Sequence, residues 1–518
     1  MGVDSQAPGQ WSGGAVVVGR DHYRVTRRIF LAGLGLTYFA AFVSLGAQIT
    51  GLVGANGILP ATEFLAFVRE RFGNSATSAL PSLAWWFGAG DGALRGFCVA
   101  GAAAALMMML GLVPTFAALA CWGLYLTVFG LGQRFLSFQW DILLLEVGFL
   151  AMFLAPPFAL RLGKVRSEPS RAVVWFLRFV LFKLMFSSGV VKLAAGDPSW
   201  RDLTALTYHY ETTCLPTWTG WWMHRLPVWF HQASAGVMYL IELGAPFLIF
   251  GGRRARMVAA GAFASLMIFI GATGNYGFFN LLSVVLCVPL LDDAAWPGAL
   301  RRRLLVGSEG EVPLWTPAGL GRNWGVWFLV PILVVVALLQ VPPFARAFRL
   351  DVHLPGPLAA LERALDPWHL VGGYGLFASM TKTRPEILVE GSRDGREWKA
   401  YGFRYKPGDP MRRPGFVFLH MPRLDWRMWF AALRPWPPEW FVRFAERLAE
   451  GSPEVLDLLN ANPFPDDPPR YVRARLVDYR FTTAAERRET GAWWRLGDSE
   501  EYLAPITSRR GRGVDQAP

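Results

Sequence analysis

The sequence has little charge and almost no lysine. Charged residues make up 17% of the 518 residues and hydrophobic residues 53%, whereas ordinary soluble domains carry about 25% charge. Too few polar side chains are therefore present to cover several solvated domains, and the same shortage excludes a disordered chain. The net charge is +12, and it is carried by arginine because lysine occurs only at positions 164, 183, 192, 382, 399 and 406.

Cysteines and catalytic motifs are also sparse. The four cysteines stand at positions 98, 121, 214 and 287 without metal-ligand spacing, and three lie in apolar runs, which argues against a disulfide framework or a zinc site. No G-x-S-x-G, H-E-x-x-H, P-loop or G-x-G-x-x-G stands in a suitable context, so hydrolase, metalloprotease and nucleotide-binding functions have no support. A transporter would be expected to show internal repeats, and none is visible.

Long apolar runs dominate the first two thirds of the chain. A spanning helix needs about 20 mostly apolar residues, and we count nine candidates: 29–50, 97–115, 117–133, 142–160, 173–194, 233–251, 257–272, 276–291 and 324–342. The third, seventh and eighth are short. The pattern predicts an α-helical polytopic membrane protein with about nine spans.

Basic clusters beside the spans predict the orientation. With the N-terminus inside, the clusters around Arg27, Arg161, Arg253 and Arg301 all fall on the cytoplasmic side, as the positive-inside rule requires. Short clusters between apolar runs are not the basic face of a nucleic-acid-binding domain, so no nucleic acid is expected as a partner. An odd span count places the C-terminal part outside, and an even count would reverse it.

The predicted domains are a cytoplasmic segment 1–28, a membrane domain 29–344, an extracytoplasmic α+β domain 345–507 and a disordered tail 508–518. Within the α+β domain, alternation predicts strands at 386–390, 398–405 and 416–419 and a last strand at 471–481, and helical periodicity covers 437–450 and 453–460. The segment 392–395 reads as a hairpin turn.

Lys192, near the outer end of the fifth span, is the most conspicuous single residue. Ionisable residues at membrane depth cost roughly 3 kcal/mol and point to function, and a lysine whose pKa falls on burial can act as a base. The alternative is that Lys192 reaches the interface or forms a structural ion pair. Lys183 points to a different face of the helix, and we expect it to pair with a carboxylate such as Glu146.

Further polar residues stand at the predicted outer ends of the spans. Asp141 could belong to a proton relay or to an ion pair with Lys183 or Arg178. His209, Glu211, His224 and His231 could supply metal ligands, but their spacing matches no ligand pattern, so no metal is predicted. The expected ligand- or client-binding groups comprise Gln139 and Trp140, Tyr210 and Glu211, Asn275 and Asn280, and Arg384. Capping of short helices is the simpler role for the two asparagines.

Several stretches resemble the lipase maturation factor family over roughly residues 20–480. They are 135–146, 184–193, 203–211, 273–276, 278–282, 391–395, 405–408, 423–426, 428–433 and 462–465. Thr213, Cys214, Gly277, Met421 and Arg427 depart from the family pattern. A weaker resemblance links Gly189–Leu193 and Trp200 to the segment of vitamin K-dependent gamma-glutamyl carboxylases that carries their active-site lysine.

The first resemblance implies a multi-pass membrane protein that assists folding of secreted lipases, in the endoplasmic reticulum in eukaryotic relatives. The composition, rich in Arg, Ala, Gly and Pro, is typical of a bacterial protein, so we expect the plasma membrane here. The expected partners are the lipid bilayer and a secreted client held by the outer domain, with Asp425, Trp426, Trp398 and Trp429 on its surface or in its core. No cofactor is predicted. The alternative is a membrane enzyme in which Lys192, with Asp141 or His209, acts on a lipid-soluble cofactor or a client side chain.

Overall fold

All nine apolar segments form helices in the computed structural model, which describes residues 22–165, 167–305 and 324–507. Seven helices are long and apolar enough to cross a membrane: Arg24–Gly46, Asp91–Met109, Pro114–Leu131, Arg171–Ala194, Val228–Phe250, Arg253–Thr273 and Val326–Ala347. Two are shorter, Gln139–Leu154 and Phe278–Leu290. In chain order these nine helices are the first to ninth spans, and they confirm the predicted fold class. Residues 1–21 of the predicted N-terminal segment and the predicted tail 508–518 lie outside the described residues.

The spans place the polar ends of the membrane domain on two faces. Near one face, the Arg24 amide donates to Asp293 at 2.9 Å and Arg253 pairs with Asp292 at 2.8 Å. Near the other face, Ser44 Oγ accepts a hydrogen bond of 2.8 Å from the amide of Met421 in the C-terminal part. We call the face that carries the C-terminal domain the outer face.

Short helices lie on the outer face between the spans. Ala61–Phe72 follows the first span, and Pro198–Arg201, Leu206–Thr212 and Trp218–Met223 lie between the fifth and sixth. Asp197 and Thr217 cap the starts of two of these helices by accepting backbone N–H groups, as short polar N-cap residues do.

The C-terminal domain is α+β, as expected. Its strands are β1 Pro385–Ser392, β2 Lys399–Ala400, β3 Gly402–Phe403, β4 Leu459–Ala461, β5 Tyr471–Phe481 and β6 Trp494–Thr507. An antiparallel four-stranded sheet has the order β2-β1-β5-β6, and a second sheet pairs β3 with β4. The helices are Arg423–Ala432, Glu439–Glu450, Pro453–Leu456 and Ala484–Thr490, while Gly356–Leu365 connects the ninth span to the domain.

Three local predictions in this domain were wrong. The segment 416–419 is not a strand, because its backbone bonds to Asn275 of the membrane domain instead of to a neighbouring strand. Asn275 Oδ1 accepts from the amide of Val417 at 2.9 Å, and Asn275 Nδ2 donates to the carbonyl of Gly415 at 2.8 Å. The helix predicted at 453–460 ends at Leu456 because the chain then enters β4. The strand 471–481 is not the last, since β6 follows it; most residues of β6 are exposed, so it lacks the alternation of a half-buried strand.

The C-terminal domain is packed into the outer face of the membrane domain rather than tethered to it. The segment before β1 enters the bundle, where the amide of Gly372 donates to Glu146 at 3.0 Å and the Tyr374 hydroxyl donates to the same carboxylate. Trp426 stacks edge-on against Trp140 of the fourth span, with ring centroids 4.8 Å apart. This packing determines which polar residues stay accessible.

Candidate functional site

A cavity of about 120 Å³ lies between the fifth, sixth and seventh spans, below the short helix Leu206–Thr212. Its polar lining groups are Ser188, Lys192, Trp200, His209, Tyr210, Ser234, Glu242, Thr273 and Tyr276, and its apolar lining comes mainly from Leu184, Met185, Met238, Leu266, Met267, Phe269, Ile270, Phe279, Leu376 and Phe377. Of the residues predicted from sequence, three reach this cavity: Lys192, His209 and Tyr210.

Lys192 forms a buried ion pair with Glu242 of the sixth span. Its Nζ lies 2.8 Å from Oε2 and 3.0 Å from Oε1 of Glu242, and donates to the carbonyl of Ser188 at 3.0 Å. The ammonium also lies 5.4 Å from the ring centroid of Trp200, within cation–π range. The structure thus gives Lys192 the ion pair that was the alternative to a catalytic role, and places that pair against a cavity.

Glu242 was not predicted, although it is a carboxylate inside an apolar run. It lies in a single π-helical turn, Leu240–Gly244, and such turns occur often at functional sites. The turn fits against Gly189, where an added Cβ would come within 2.6 Å of the Leu243 side chain and 3.2 Å of Glu242 Cβ. Gly189, one helical turn before Lys192, therefore permits the close approach that joins the two charges.

His209 stands at the outer end of the cavity and is uncharged at neutral pH. Burial, helped by the positive charge of Lys192, lowers the pKa of His209 to about 4. Its Nε2 lies 3.3 Å from the Tyr276 hydroxyl, which is also 3.0 Å from Thr213 Oγ1. Its Nδ1 is buried with no hydrogen-bond partner among the described residues. Other buried side-chain atoms among the described residues also lack a partner, but His209 is the residue with such an atom that lines the cavity.

Asp141 is not in the cavity. Its two carboxylate oxygens accept from Arg423 of the C-terminal domain, at 2.6 and 2.8 Å, and one also accepts from the Tyr125 hydroxyl at 2.6 Å. The expected partners Lys183 and Arg178 are therefore wrong for this residue. A carboxylate that accepts three hydrogen bonds and is 0% exposed holds the two domains together and is closed to a substrate.

The predicted pair of Lys183 and Glu146 is confirmed, with Lys183 Nζ 2.8 Å from Glu146 Oε1. Gln340 of the ninth span donates to the same oxygen at 2.7 Å, and the amide of Gly372 and the hydroxyl of Tyr374 complete the shell. This cluster connects three spans with the segment that leads into the C-terminal domain.

The remaining predicted binding residues converge on the junction of the two domains. Gln139 exchanges hydrogen bonds with the backbone of Gly375, at 3.0 and 3.3 Å. Arg384 donates to the carbonyls of Glu211, Thr213 and Cys214 and pairs with Glu386 at 2.7 Å. The fold engages the amide of Gln139 and the two Nη atoms of Arg384, while Arg384 Nε is buried with no hydrogen-bond partner among the described residues.

Hydrogen bonds within the protein also engage the side chains of Glu211, Asp425 and Asn275. Glu211 Oε1 accepts from the amide of Phe481 at 2.6 Å, and burial raises the pKa of this carboxyl. Asp425 Oδ1 accepts the amides of Tyr405 and Lys406. Asn275 links the loop between the seventh and eighth spans to Gly415 and Val417 and does not cap a helix.

The tryptophans predicted to bind a ligand or client, or to lie on the domain surface or in its core, are mostly buried. Trp140 and Trp426 are 1% and 3% exposed, and Trp429 donates its indole N–H to the carbonyl of Thr212 at 3.0 Å. Trp398 lies 4.0 Å under the Arg473 guanidinium. An exposed surface made of Trp426 and Trp429 is therefore wrong, because the membrane domain covers both.

Asn280 stands apart from both the cavity and the junction. It is in the first turn of the helix Phe278–Cys287, but the residue at the N-cap is Gly277, so the predicted capping role is wrong. Its Nδ2 lies 2.9 Å from the position of an added Cβ on Gly271, which places it between the seventh and eighth spans.

The described residues contain no group of three or more His, Cys, Asp or Glu side chains placed to hold a metal ion. His224 and His231 lie near the outer face, where burial lowers the pKa of His224 to about 4. All four cysteines are buried and unpaired.

A second concavity, of about 670 Å³, lies on the outer face between the membrane domain and the C-terminal domain. We call it the arginine groove and define it by Glu63, Phe64, Phe67, Arg134, Arg427, Phe430, Arg434, Glu439, Trp440 and Arg443. Phe67 is 60% exposed and Phe430 is 37% exposed. The groove therefore offers accessible aromatic surface among four arginines and two glutamates.

Comparison with known proteins gives matches over nearly the whole chain. Residues 25–298 match the lipase maturation factor transmembrane domain and residues 370–504 the lipase maturation factor C-terminal domain. The chain is 35% identical to lipase maturation factor 2 of Xenopus tropicalis, over 93% of this chain and 82% of that protein. It is 32% identical to lipase maturation factor 1 of Bos taurus, over 94% of this chain and 90% of that protein. No solved structure matches the chain.

Proposed function

The chain belongs to the lipase maturation factor family, and from that premise we propose that its outer face holds an exported client protein while the client folds. The protein is a membrane-embedded maturation factor. The client and the surface that binds it are the parts we propose. The arginine groove is the observation that supports a client site, because it lies on the outer face and combines exposed aromatic side chains with charge.

The charges of the groove indicate the chemistry of the client segment. Four arginines against two glutamates leave a positive balance, and Arg427 already lies 4.2 Å from the ring of Phe138 and hydrogen-bonds Ser137 at 2.6 Å. A groove of this kind suits an unfolded segment that carries acidic residues beside apolar ones, since opposite charge steers the encounter and apolar contact holds it.

Photocrosslinking in the full chain tests this proposal. A photoreactive amino acid at Phe67 or at Phe430 is expected to capture exported polypeptides in growing cells. The matched control is the same amino acid at Trp327, which is 94% exposed but lies at the inner end of the ninth span. Equal capture from all three positions would contradict a client site in the groove.

Charge reversal provides an independent measurement. Arg434→Glu is expected to lower the amount of client reaching the exterior about tenfold at unchanged membrane level of the protein, because it sets a negative charge against an acidic segment. Arg396→Glu, an exposed arginine in the hairpin turn after β1, is the control and should leave export unchanged. An unchanged set of exported proteins in Arg434→Glu would overturn the charge argument.

The sidedness of the C-terminal domain is part of the proposal. Arginine clusters flank the spans at the face opposite this domain, at positions 24–28, 161, 253–256 and 301–303. By the positive-inside rule that face is cytoplasmic. A bacterial chain would then stand in the plasma membrane with the domain outside. An impermeant maleimide should label Asp498→Cys but not Arg302→Cys in intact cells, and the reverse pattern would refute this orientation. The buried native cysteines keep the background low.

A membrane enzyme remains the second candidate, because Lys192 and His209 line one cavity. The weaker similarity to gamma-glutamyl carboxylases makes Lys192 the base in this hypothesis. Lys192→Arg keeps a cation near Glu242 but cannot act as a base at neutral pH. Full client maturation by Lys192→Arg would exclude the enzymatic hypothesis, whereas loss of maturation by a normally folded, normally inserted variant would favour it.

A further inference from the structure

The cavity beside Lys192 changes from apolar to polar along the membrane normal. Along the fifth span its lining runs from Leu184 to Lys192, eight residues or about 12 Å of helix. Along the seventh span it runs from Leu266 to Thr273 in the same direction, toward the outer face. The deep end is therefore lined by aliphatic and Met side chains, while His209, Tyr210 and Tyr276 surround the outer end. A lipid of the outer leaflet has this same polarity.

Two walls of the cavity belong to helices that face outward from the bundle. Of the most apolar stretches of the sixth and seventh spans, only 33% and 28% of residues are buried in the protein, against 67% for the fifth span. Phe269, which lines the cavity, is 42% exposed. The cavity thus borders the hydrocarbon layer, and its volume of about 120 Å³ is several times the roughly 30 Å³ of one water molecule. That space suits the head and first carbons of a lipid, whose chain remains in the bilayer.

The charges inside the cavity cancel. Lys192 and Glu242 form a pair of opposite sign at 2.8 Å, and the imidazole of His209 is neutral. An anionic head such as a carboxylate or phosphate would meet no uncompensated cation and would lie close to Glu242. An uncharged head is therefore preferred on electrostatic grounds.

One polar atom is left over at the outer end. His209 Nδ1 is buried and has no partner among the described residues, while Nε2 of the same ring lies near the Tyr276 hydroxyl. A hydroxyl group in the ligand could satisfy Nδ1 in either tautomer, because a hydroxyl both donates and accepts, and an ester carbonyl could accept from Nδ1–H. A bound group here would remove the cost of leaving this nitrogen unsatisfied.

We propose that this cavity binds the head of an uncharged, hydroxyl- or ester-bearing acyl lipid taken laterally from the outer leaflet, with His209 Nδ1 as its hydrogen-bonding partner. This site is independent of the arginine groove and does not depend on which client the protein serves. Lys192 and Glu242 set the charge balance of the site without transferring a proton to the lipid.

The test uses the purified full chain in lipid nanodiscs and two photoreactive probes with the same acyl chain, a monoacylglycerol and a free fatty acid. The monoacylglycerol is expected to label the sixth and seventh spans around residues 234–242 and 263–273, and the fatty acid to label them at least tenfold less. Peptide mapping by mass spectrometry gives the sites and extents.

Two neighbouring substitutions separate the cavity from the lipid-facing surface. Met238→Trp fills the cavity and should abolish labelling, while Val237→Trp, at a residue that is 57% exposed, places the same bulk in the bilayer and should leave labelling unchanged. His209→Phe should lower labelling about fivefold because it removes one hydrogen bond of roughly 1 kcal/mol. Labelling by the fatty acid equal to that by the monoacylglycerol, or equal loss in both tryptophan variants, would overturn the proposal. Because client capture at the arginine groove is measured separately, failure of one proposal does not imply failure of the other.

Discussion

Two buried ion pairs, one between the membrane domain and the C-terminal domain and one within the membrane domain, have the same charges and opposite surroundings. The carboxylate of Asp141 is closed off by two hydrogen bonds from Arg423 and one from Tyr125. The pair of Lys192 and Glu242 instead borders a cavity, next to a histidine nitrogen without a partner among the described residues. Depth in the membrane therefore does not distinguish a structural charge from a functional one. The distinction lies in access: Asp141 and Arg423 are 0% and 1% exposed inside the junction of the two domains, whereas Lys192 and Glu242 both line a cavity.

The largest effect is expected at the closed pair. Arg423→Ala leaves Asp141 charged and buried, which should lower the free energy of unfolding by about 3–5 kcal/mol and make the C-terminal domain susceptible to limited proteolysis. Thermal unfolding monitored by tryptophan fluorescence measures this loss of stability. The double variant Asp141→Leu with Arg423→Met should recover much of the loss, because neither charge is then left alone. A single-variant loss no greater than that of a surface arginine would show that the pair does not hold the domains together.

A smaller effect is expected at the open pair. Glu242→Gln removes one charge from beside Lys192, and a hydrogen bond to a charged group contributes about 1.5–3 kcal/mol. The loss should fall below that of Arg423→Ala because a water or a lipid head in the cavity can approach the remaining ammonium. A double-mutant cycle with Lys192→Met measures the coupling from thermal unfolding. Additive losses would mean that the two side chains do not interact.

The open site should also respond to pH. The pKa of His209 is lowered to about 4, mainly by burial, whereas in the unfolded chain it is about 6.5. Between those two values the unfolded chain binds the proton and the folded chain does not, so stability falls as pH decreases through this window, by at most about 1.4 kcal/mol per pH unit. His209→Phe should flatten that part of the profile of melting temperature against pH. An unchanged slope in the variant would assign it to other groups.

The smallest effect on stability is expected at an exposed ion pair in the arginine groove. Arg443 and Glu63 lie 3.4 Å apart with side chains 36% and 61% exposed, and exposed pairs contribute about 0–1 kcal/mol. Arg443→Ala should therefore leave the melting temperature nearly unchanged while weakening client crosslinking in the arginine groove. A marked loss of stability would show that this pair, like the pair of Asp141 and Arg423, helps to hold the fold together.

The sequence predicted the outline of the fold for a physical reason: spanning helices are specified by composition over some 20 residues, and arginine clusters flank them. It also singled out Lys192, since a lysine is rare in this chain and costly in an apolar helix. Glu242 was missed because it stands in a run that reads simply as a span, and its partner is fifty residues away.

The assignment of Asp141, Arg384 and Trp426 to binding could not be checked without the packing of the domains. These residue types look the same in sequence whether they face solvent or a second domain. Arg423 was part of the family resemblance but not of the predicted site, and nothing in its local sequence indicates that its partner lies in the fourth span. Long-range partners of this kind are determined by topology, which single-sequence patterns do not encode.

The closed pair has a consequence for the biosynthesis of the protein. Asp141 and Arg423 are separated by 282 positions, and at roughly 5–20 residues per second the ribosome needs on the order of half a minute to deliver the second after the first. During that interval the fourth span must enter the bilayer with a carboxylate that has no arginine. A partner in the translocon would have to shield the carboxylate during that interval, and a prematurely terminated chain would keep the unpaired charge permanently as a mark for degradation.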